Sequence, residues 1–288
     1  MFVQALESFI SLAAELAVLF FAISFLVNVL QGIMPFDKLN RLLDGRNFMT
    51  GSVAALAIAF ITPFCSCSTI PVVVTLLQKN VRFGVVMVFL FASPVLDPTI
   101  ITLMAVMLSV KVAIAYTVIA GTLSVAVGFA LEKFGFQSGV KEVVLNGYHP
   151  APGTFNLKHA WNETVKLMRS VFPYLLAGAA IGAVIQGAVP DKWLAGLFSE
   201  ESWWLVPLAA VIGIPLYIRL SAMVPVSAIL LAKGMAIAPV MALMISSAGA
   251  SLPEVTLLNS IFQKRLVAAF IVSVITMATL SGFLFYLI

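Results

Sequence analysis

Long apolar stretches follow one another along almost the whole chain. A helix of about 20 apolar residues crosses the roughly 30 Å hydrocarbon layer of a membrane. A helix can cross lipid because it bonds its backbone polar groups internally. The sequence therefore predicts an all-α integral membrane protein. Its candidate spans are residues 8–33, 50–78, 83–108, 112–132, 164–188, 203–232, 236–262 and 266–287.

The composition agrees with a chain dissolved in lipid. Charged residues make up 10% of the 288 residues and hydrophobic ones 62%, whereas a soluble domain has about 25% charged residues. We expect a multi-pass protein of the cell inner (cytoplasmic) membrane, with the lipid bilayer as its partner. The net charge of +4 is spread over short loops, so no nucleic-acid partner is expected. Residues 8–33 are too long for a signal-peptide core and are interpreted as the first span.

Prolines and glycines recur at a nearly constant offset, which predicts two tandem repeats. We place the first repeat at 1–135, a polar linker at 136–160 and the second repeat at 161–288, together forming one transmembrane domain. Internal repeats are common in secondary transporters, where the binding site lies at the repeat interface. The matching positions include Gln31, Gly32 and Pro35 with Gln186, Gly187 and Pro190, Pro63 with Pro215, and Pro71 with Pro225.

Each repeat has about four predicted transmembrane helices, and their number decides the relative orientation of the repeats. Four full crossings give both repeats the same orientation. An inverted pair requires an odd number, which arises if one interrupted segment is re-entrant. The distribution of Lys and Arg does not decide the orientation, and no sequence feature decides the oligomeric state.

The second and third helices of each repeat are interrupted by Pro-rich motifs. Proline removes a backbone donor and clashes with the preceding turn. The freed backbone groups must be buried in protein or line a cavity, so the four interruptions predict a shared polar cavity. The alternative is that the prolines only kink packed helices. The motifs are 63–71, 93–98, 215–225 and 246–254.

Three of these motifs also contain residues typical of helix starts. Ser68 or Thr69, Asp97 and Ser251 each precede a proline, as N-cap residues often do. A helix N-terminus offers free N–H groups and partial positive charge, which attract anions or electron-rich atoms.

Cys65 and Cys67 are the most chemically specific pair in the sequence. In an unwound segment both thiols could face one cavity and bind a soft metal or a trivalent metalloid. The alternative is that they are small buried hydrophobic residues. A closed structural zinc site is not expected, because it normally needs four ligands and both histidines lie in the linker.

Four ionisable residues lie inside predicted spans, where burial is expensive. We expect Arg219 to face the cavity, paired with Asp97 or Glu254, and we consider Glu15, Asp97 and Glu254 as proton-coupling residues. Alternatives are an interfacial position for Glu15, a simple cap for Asp97 and a capping box for Glu254. The predicted substrate-binding residues are Cys65, Ser66, Cys67, Ser68, Ser93, Asp97, Arg219, Ser221, Ser247 and Glu254.

At these motifs the chain resembles the YraQ-type branch of a bacterial predicted-permease family, which is related to the organoarsenical efflux permeases. The resemblance covers nearly the whole chain and implies a membrane permease; for the arsenical branch it implies extrusion of trivalent organic arsenicals. Asp97 stands where family members often have Asn, and Arg219 where some branches have Cys. The motifs that carry the resemblance are 62–71, 89–98, 214–217 and 246–254.

The leading functional hypothesis is a permease for efflux of a thiophilic metalloid or metal species. A transporter of a small anion such as a sulfur oxyanion, and a non-transporting membrane scaffold, are the alternatives. An intramembrane enzyme is disfavoured because no span contains a histidine base or a zinc-protease motif, so no catalytic residue is predicted. No cofactor is expected, and a phosphate-binding loop for ATP is absent from the sequence.

Overall fold

The computed structural model describes four main segments of the chain. These are residues 48–61, 66–141, 203–215 and 236–287, together with isolated positions between 14 and 25, between 161 and 172, and at 227 and 231. At 66–68, 71, 252 and 253 only the backbone is described. Within these segments the regular elements are helices, apart from one isolated bridge between Val140 and Phe262. The predicted all-α class is confirmed.

Nine α-helices and one short 3-10 turn make up the described segments. The 3-10 turn covers Phe136–Gly139 and follows the fifth helix directly. The helices are α1 (Phe48–Ile61), α2 (Ser66–Gln78), α3 (Phe83–Val95), α4 (Pro98–Met107), α5 (Val110–Lys133), α6 (Leu205–Gly213), α7 (Ile237–Gly249), α8 (Leu252–Ile261) and α9 (Lys264–Phe285).

Two helices are long and apolar enough to cross a membrane unaided, and they are α5 and α9. They match the predicted spans 112–132 and 266–287. The pairs α3–α4 and α7–α8 are bent by 42° and 43°. Their 13- and 10-residue members are about 20 and 15 Å long at 1.5 Å per residue, so neither member spans alone. The described part thus contains two to four candidate spans.

The described positions of the first predicted span, 8–33, are helical. Two of their aromatic rings pack edge-on against Trp161: Phe21 with a centroid distance of 5.2 Å and Phe25 with 6.1 Å. The rest of this span, and most of the predicted span 164–188, lie outside the described residues.

The centre of the bundle is formed by α3 and α7. Every residue of α3 is buried, and so is every residue of α7 from Ala238 onward. A helix that is apolar on all sides is covered by other helices rather than exposed on one face. These two helices contact each other, and α5 and α9 pack against them from outside.

The outer helix α5 buries one stripe and exposes the other. Small residues such as Ala113, Ala120 and Gly121 face inward, while large apolar residues such as Ile114 and Val118 are exposed. In a membrane protein such an exposed apolar face contacts lipid tails. Small residues on the inner face let neighbouring helices approach closely.

Four helix termini meet at one end of the bundle, which we call the Arg82 end. The Arg82 guanidinium pairs with Glu132 at 2.5 Å and lies over the Phe48 ring at 5.5 Å. The second Glu132 oxygen accepts a bond from Gly84 N at 3.0 Å. The start of α1, the start of α3 and the end of α5 therefore lie together, and α2 ends there too because only residues 79–82 join it to α3.

The predicted single broken span 50–78 is therefore wrong. Both outer ends of α1 and α2 lie at the Arg82 end, so the two helices form a hairpin. The physical reason is length: the 14 residues of α1 extend about 21 Å, too short to cross 30 Å of hydrocarbon.

The opposite end of the bundle, where Ser109 caps α5, we call the Ser109 end. The start of α9 lies at the Arg82 end, because Gln263 N donates to the Gly139 carbonyl at 2.8 Å just beyond α5. Near the other end of α9, a Cβ at Gly282 would lie 2.9 Å from the Ala238 carbonyl oxygen. Helix α7 thus starts at the Ser109 end and α3 at the Arg82 end, so the central helices run in opposite directions.

One close helix crossing occurs twice, 154 residues apart. A Cβ at Gly128 would meet the Gly84 carbonyl oxygen at 2.7 Å and a Val88 methyl at 2.5 Å. At Gly282 it would meet the corresponding carbonyl of Ala238, and Ala242 Cβ at 3.0 Å. The bounds of α3 and α4 recur in α7 and α8 at the same offset: 83 and 237, 95 and 249, 98 and 252, 107 and 261.

The α1–α2 hairpin predicts that both of its outer ends face one side of the membrane. In a Cys65→Ser/Cys67→Ser background we expect single cysteines at Asn47, just before α1, and at Asn80, just after α2, to react with a membrane-impermeant maleimide from the same side. Right-side-out and inverted vesicles provide the comparison. Labelling of the two positions from opposite sides would contradict the hairpin and show that 50–78 is one continuous span.

Candidate functional site

The breaks in the two bent pairs lie next to each other in the bundle centre. Val95 ends α3 and Gly249 ends α7. A Val95 methyl lies 4.0 Å from the position that a Cβ of Gly249 would occupy. The two-residue breaks that follow, 96–97 and 250–251, are therefore neighbours.

Asp97 starts the second half of the first bent pair. Its backbone is extended, and its Oδ1 accepts a hydrogen bond from Thr99 N at 2.8 Å, with Pro98 in the first turn of α4. Proline suits this place because its missing N–H would have no helical partner there. The predicted N-cap at Asp97 is confirmed.

Ser251 and Glu254 start the second half of the other bent pair. Ser251 Oγ accepts from Glu254 N at 3.4 Å, and Glu254 Oε2 accepts from Ser251 N at 3.4 Å. This reciprocal arrangement is the capping box that the sequence predicts. Glu254 is fully buried, so a carboxyl group stands in the protein interior at the start of α8.

A buried hydroxyl pair connects the start of α2 to the end of α3. Thr69 Oγ1 donates to Ser93 Oγ at 3.4 Å, and both residues are fully buried. Helix α2 also packs against α8. The hairpin α1–α2 thus points its inner end at the region where the two breaks meet.

Ser247 lies at the end of α7, one turn before the second break. It is buried, and its hydroxyl donates to the Met244 carbonyl at 3.1 Å. This bond satisfies its donor within its own helix. The Ser247 hydroxyl oxygen can therefore still accept a hydrogen bond.

Two local predictions about the α2 motif are wrong. Because α2 begins at Ser66, Ser68 and Thr69 lie inside the helix and neither is its N-cap. Cys67 also lies in the first turn of α2 rather than in an unwound segment. Pro71 is therefore the sixth residue of α2, beyond the first turn where proline is best tolerated.

Several predicted site residues lie outside the described part of the chain. These are Glu15, Cys65, Arg219 and Ser221, and the side chains of Ser66, Cys67 and Ser68 are likewise not described. The pairing of Arg219 with Asp97 or Glu254 and the metal site at Cys65 and Cys67 therefore stay predictions. Within the described segments no group of three His, Cys, Asp or Glu residues is placed to hold a metal ion.

The structure adds two residues to this region that the sequence did not single out as ligands. Thr69 is joined to Ser93, and Tyr116 on α5 is fully buried with the Asp97 carboxylate close enough to act on it electrostatically. The signal for Tyr116 would have been its hydroxyl in the uninterrupted span 112–132, where the other hydroxyls, those of Thr117, Thr122 and Ser124, bond to carbonyls of their own helix. The broken-helix motifs do not include Tyr116.

Comparison with known proteins supports this picture of a membrane-embedded helical chain. The family model ArsP_1, described as a predicted permease, matches residues 1–287. The chain belongs to this family. The resemblance inferred from the broken-helix motifs is thereby confirmed, and family membership indicates a multi-pass membrane protein involved in transport.

One curated relative is the UPF0718 protein MJ0584 of Methanocaldococcus jannaschii. It is 23% identical over 128 residues, which are 44% of this chain and 35% of the relative. The match thus spans about a third of the relative's length. No solved structure matches the chain.

Asp97 allows the capping role to be separated from a role in transport. Asp97→Asn keeps a good N-cap, so we expect an unchanged melting temperature in detergent and reduced transport, because the carboxylate at the break is lost. Asp97→Ala should cost about 1 kcal/mol of stability because the cap is lost. Equal transport by wild type and Asp97→Asn would show that Asp97 acts only as a helix cap.

Proposed function

We propose that the chain is a permease that moves a small solute through the region where the two breaks meet. The observation that carries the proposal is the contact between the ends of α3 and α7 at Val95 and Gly249, each followed by a capped helix start, at Asp97 and at Ser251. Backbone interrupted at membrane depth is tolerated where it is buried in protein or lines a cavity. Transporters place their sites at such interrupted helices.

Two copies of one unit, inverted relative to each other, best account for the architecture. The 154-residue offset of helix bounds and of the glycine crossing supports the duplication, and the opposite directions of α3 and α7 support the inversion. A re-entrant α1–α2 hairpin gives each copy an odd number of crossings, as inversion requires. The copies would occupy 1–135 and 161–288, joined by the linker 136–160.

Inverted copies provide a mechanism for alternating access. Each copy can adopt the conformation of the other, so the site opens to one side and then to the other. In this scheme the α1–α2 hairpin, which points its inner end at the breaks, gates the side of the Arg82 end. The short distance between Val95 and Gly249 marks the closed centre between the two gates.

The solute that we propose is a thiophilic metalloid or metal species, such as a trivalent organoarsenical, exported across the cell inner membrane. Cys65 immediately precedes α2, and Thr69, one turn into α2, contacts Ser93 at the centre. This connection supports placing the thiols near the breaks. Thiolates are the ligands that soft metals and metalloids prefer.

A sulfur oxyanion is the alternative solute, favoured by Arg219 and by helix N-termini. The caps weigh against it, because the helix starts are already occupied by the carboxylates of Asp97 and Glu254. A further anion there would compete with these carboxyl oxygens for the N–H groups of the helix starts. The same carboxylates, with Glu15, are candidates for proton coupling.

Flux through proteoliposomes tests the choice of solute. We expect wild-type protein to transport methylarsenite, measured as arsenic by mass spectrometry, and Cys65→Ser/Cys67→Ser to lose at least nine-tenths of the rate because soft ligands are replaced by hard ones. Arg219→Ala should keep methylarsenite transport.

Labelled thiosulfate is the matched probe for the anion alternative. Thiosulfate flux that survives the double Cys change and is lost in Arg219→Ala would establish that alternative. Normal methylarsenite flux in the double variant would exclude the thiol site. Failure of wild-type protein to move either solute would favour the scaffold hypothesis.

A further inference from the structure

Tyr116 carries a buried hydroxyl without a hydrogen-bond partner. The residue is fully buried, and its hydroxyl contacts no donor or acceptor among the described residues. Leaving such a group unsatisfied is destabilising, because its hydrogen bond to water is lost on burial and not replaced. A hydroxyl kept at this cost needs a reason beyond packing.

The surroundings of Tyr116 place it at the wall of the first break. Helix α5 packs against both α3 and α4, which lie on either side of that break. Tyr116 belongs to the buried stripe of α5. The Asp97 carboxylate at the break is near enough to interact with it electrostatically.

The residue 154 positions later occupies the corresponding place of the second copy. It shows which side chain is sufficient for packing there. That residue is Phe270 on α9, which is also fully buried. Its ring stacks on Phe91 with centroids 4.9 Å apart and planes at 18°. An aromatic ring without a hydroxyl therefore fills the corresponding place, and the Tyr116 hydroxyl is an addition that packing does not explain.

We propose that the Tyr116 hydroxyl is a solute-binding donor of the site beside Asp97. It would give its hydrogen bond to an oxygen of the transported solute, such as the As–OH group of a trivalent arsenical. The inference rests on the proposed transport function and adds to it: the solute carries a hydrogen-bond acceptor as well as a thiophilic centre. Binding of that oxygen satisfies the hydroxyl that is otherwise unpaired.

Tyr116→Phe tests the donor directly in proteoliposomes with methylarsenite as the probe. We expect KM to rise about fivefold, the size of one hydrogen bond, with Vmax within twofold of wild type. The melting temperature should stay the same or rise, because an unsatisfied buried hydroxyl is removed. Tyr286→Phe, which removes an exposed hydroxyl at the end of α9, is the matched control and should change neither value.

An unchanged KM in Tyr116→Phe would overturn the proposal, and so would a lowered melting temperature with an equal loss of Vmax, which indicates a structural role. The double Cys variant, assayed in parallel, reports on the thiol hypothesis independently. A fivefold KM effect at Tyr116 with normal flux in the double Cys variant would reject the thiol site and keep the donor.

A second measurement does not depend on the solute. In the Cys65→Ser/Cys67→Ser background, Tyr116→Cys should react with a small water-soluble methanethiosulfonate in membranes, because the site opens to water during transport. Phe270→Cys should remain unreactive. A Tyr116→Cys thiol as unreactive as that of Phe270→Cys would overturn the proposal even if no solute has been found.

Discussion

Backbone groups freed at the bends between α3 and α4 and between α7 and α8 set the main constraint on this protein. No water is available inside the bilayer to satisfy them, so each helix restart must be capped by the chain itself. Asp97 caps one restart through Thr99 N, and Ser251 with Glu254 caps the other. Ser251 and Glu254 are buried, whereas the cap at Asp97 is partly exposed and lies next to the buried ends of α3 and α7.

The remaining helices pack around this centre. The single-stripe helices α5 and α9 separate it from lipid, and glycines at 128 and 282 let them approach the central helices closely. The ion pair of Arg82 and Glu132 fixes the ends of α3 and α5 outside the core. In the proposed transport mechanism, the breaks inside this shell are where the structure changes.

The sequence predicted the helical class, the breaks at Asp97 and Ser251 and both of their caps, because proline and cap residues act locally. It did not predict the α1–α2 hairpin. An apolar stretch interrupted by prolines has the same composition whether it continues or turns back, and only the contacts of Phe48 with Arg82 reveal the turn. Tyr116 was missed because one hydroxyl leaves no periodic signal, and Arg219 lies outside the described residues.

Cross-linking of the two breaks tests the central claim most directly. Val95→Cys and Gly249→Cys would be combined in the Cys65→Ser/Cys67→Ser background, with a protease site inserted in the linker. After oxidation and cleavage, the halves should migrate as one band on a denaturing gel and separate on reduction, because the two positions are in contact. Two separate bands throughout, with both single cysteines present and reactive, would contradict the meeting of the breaks.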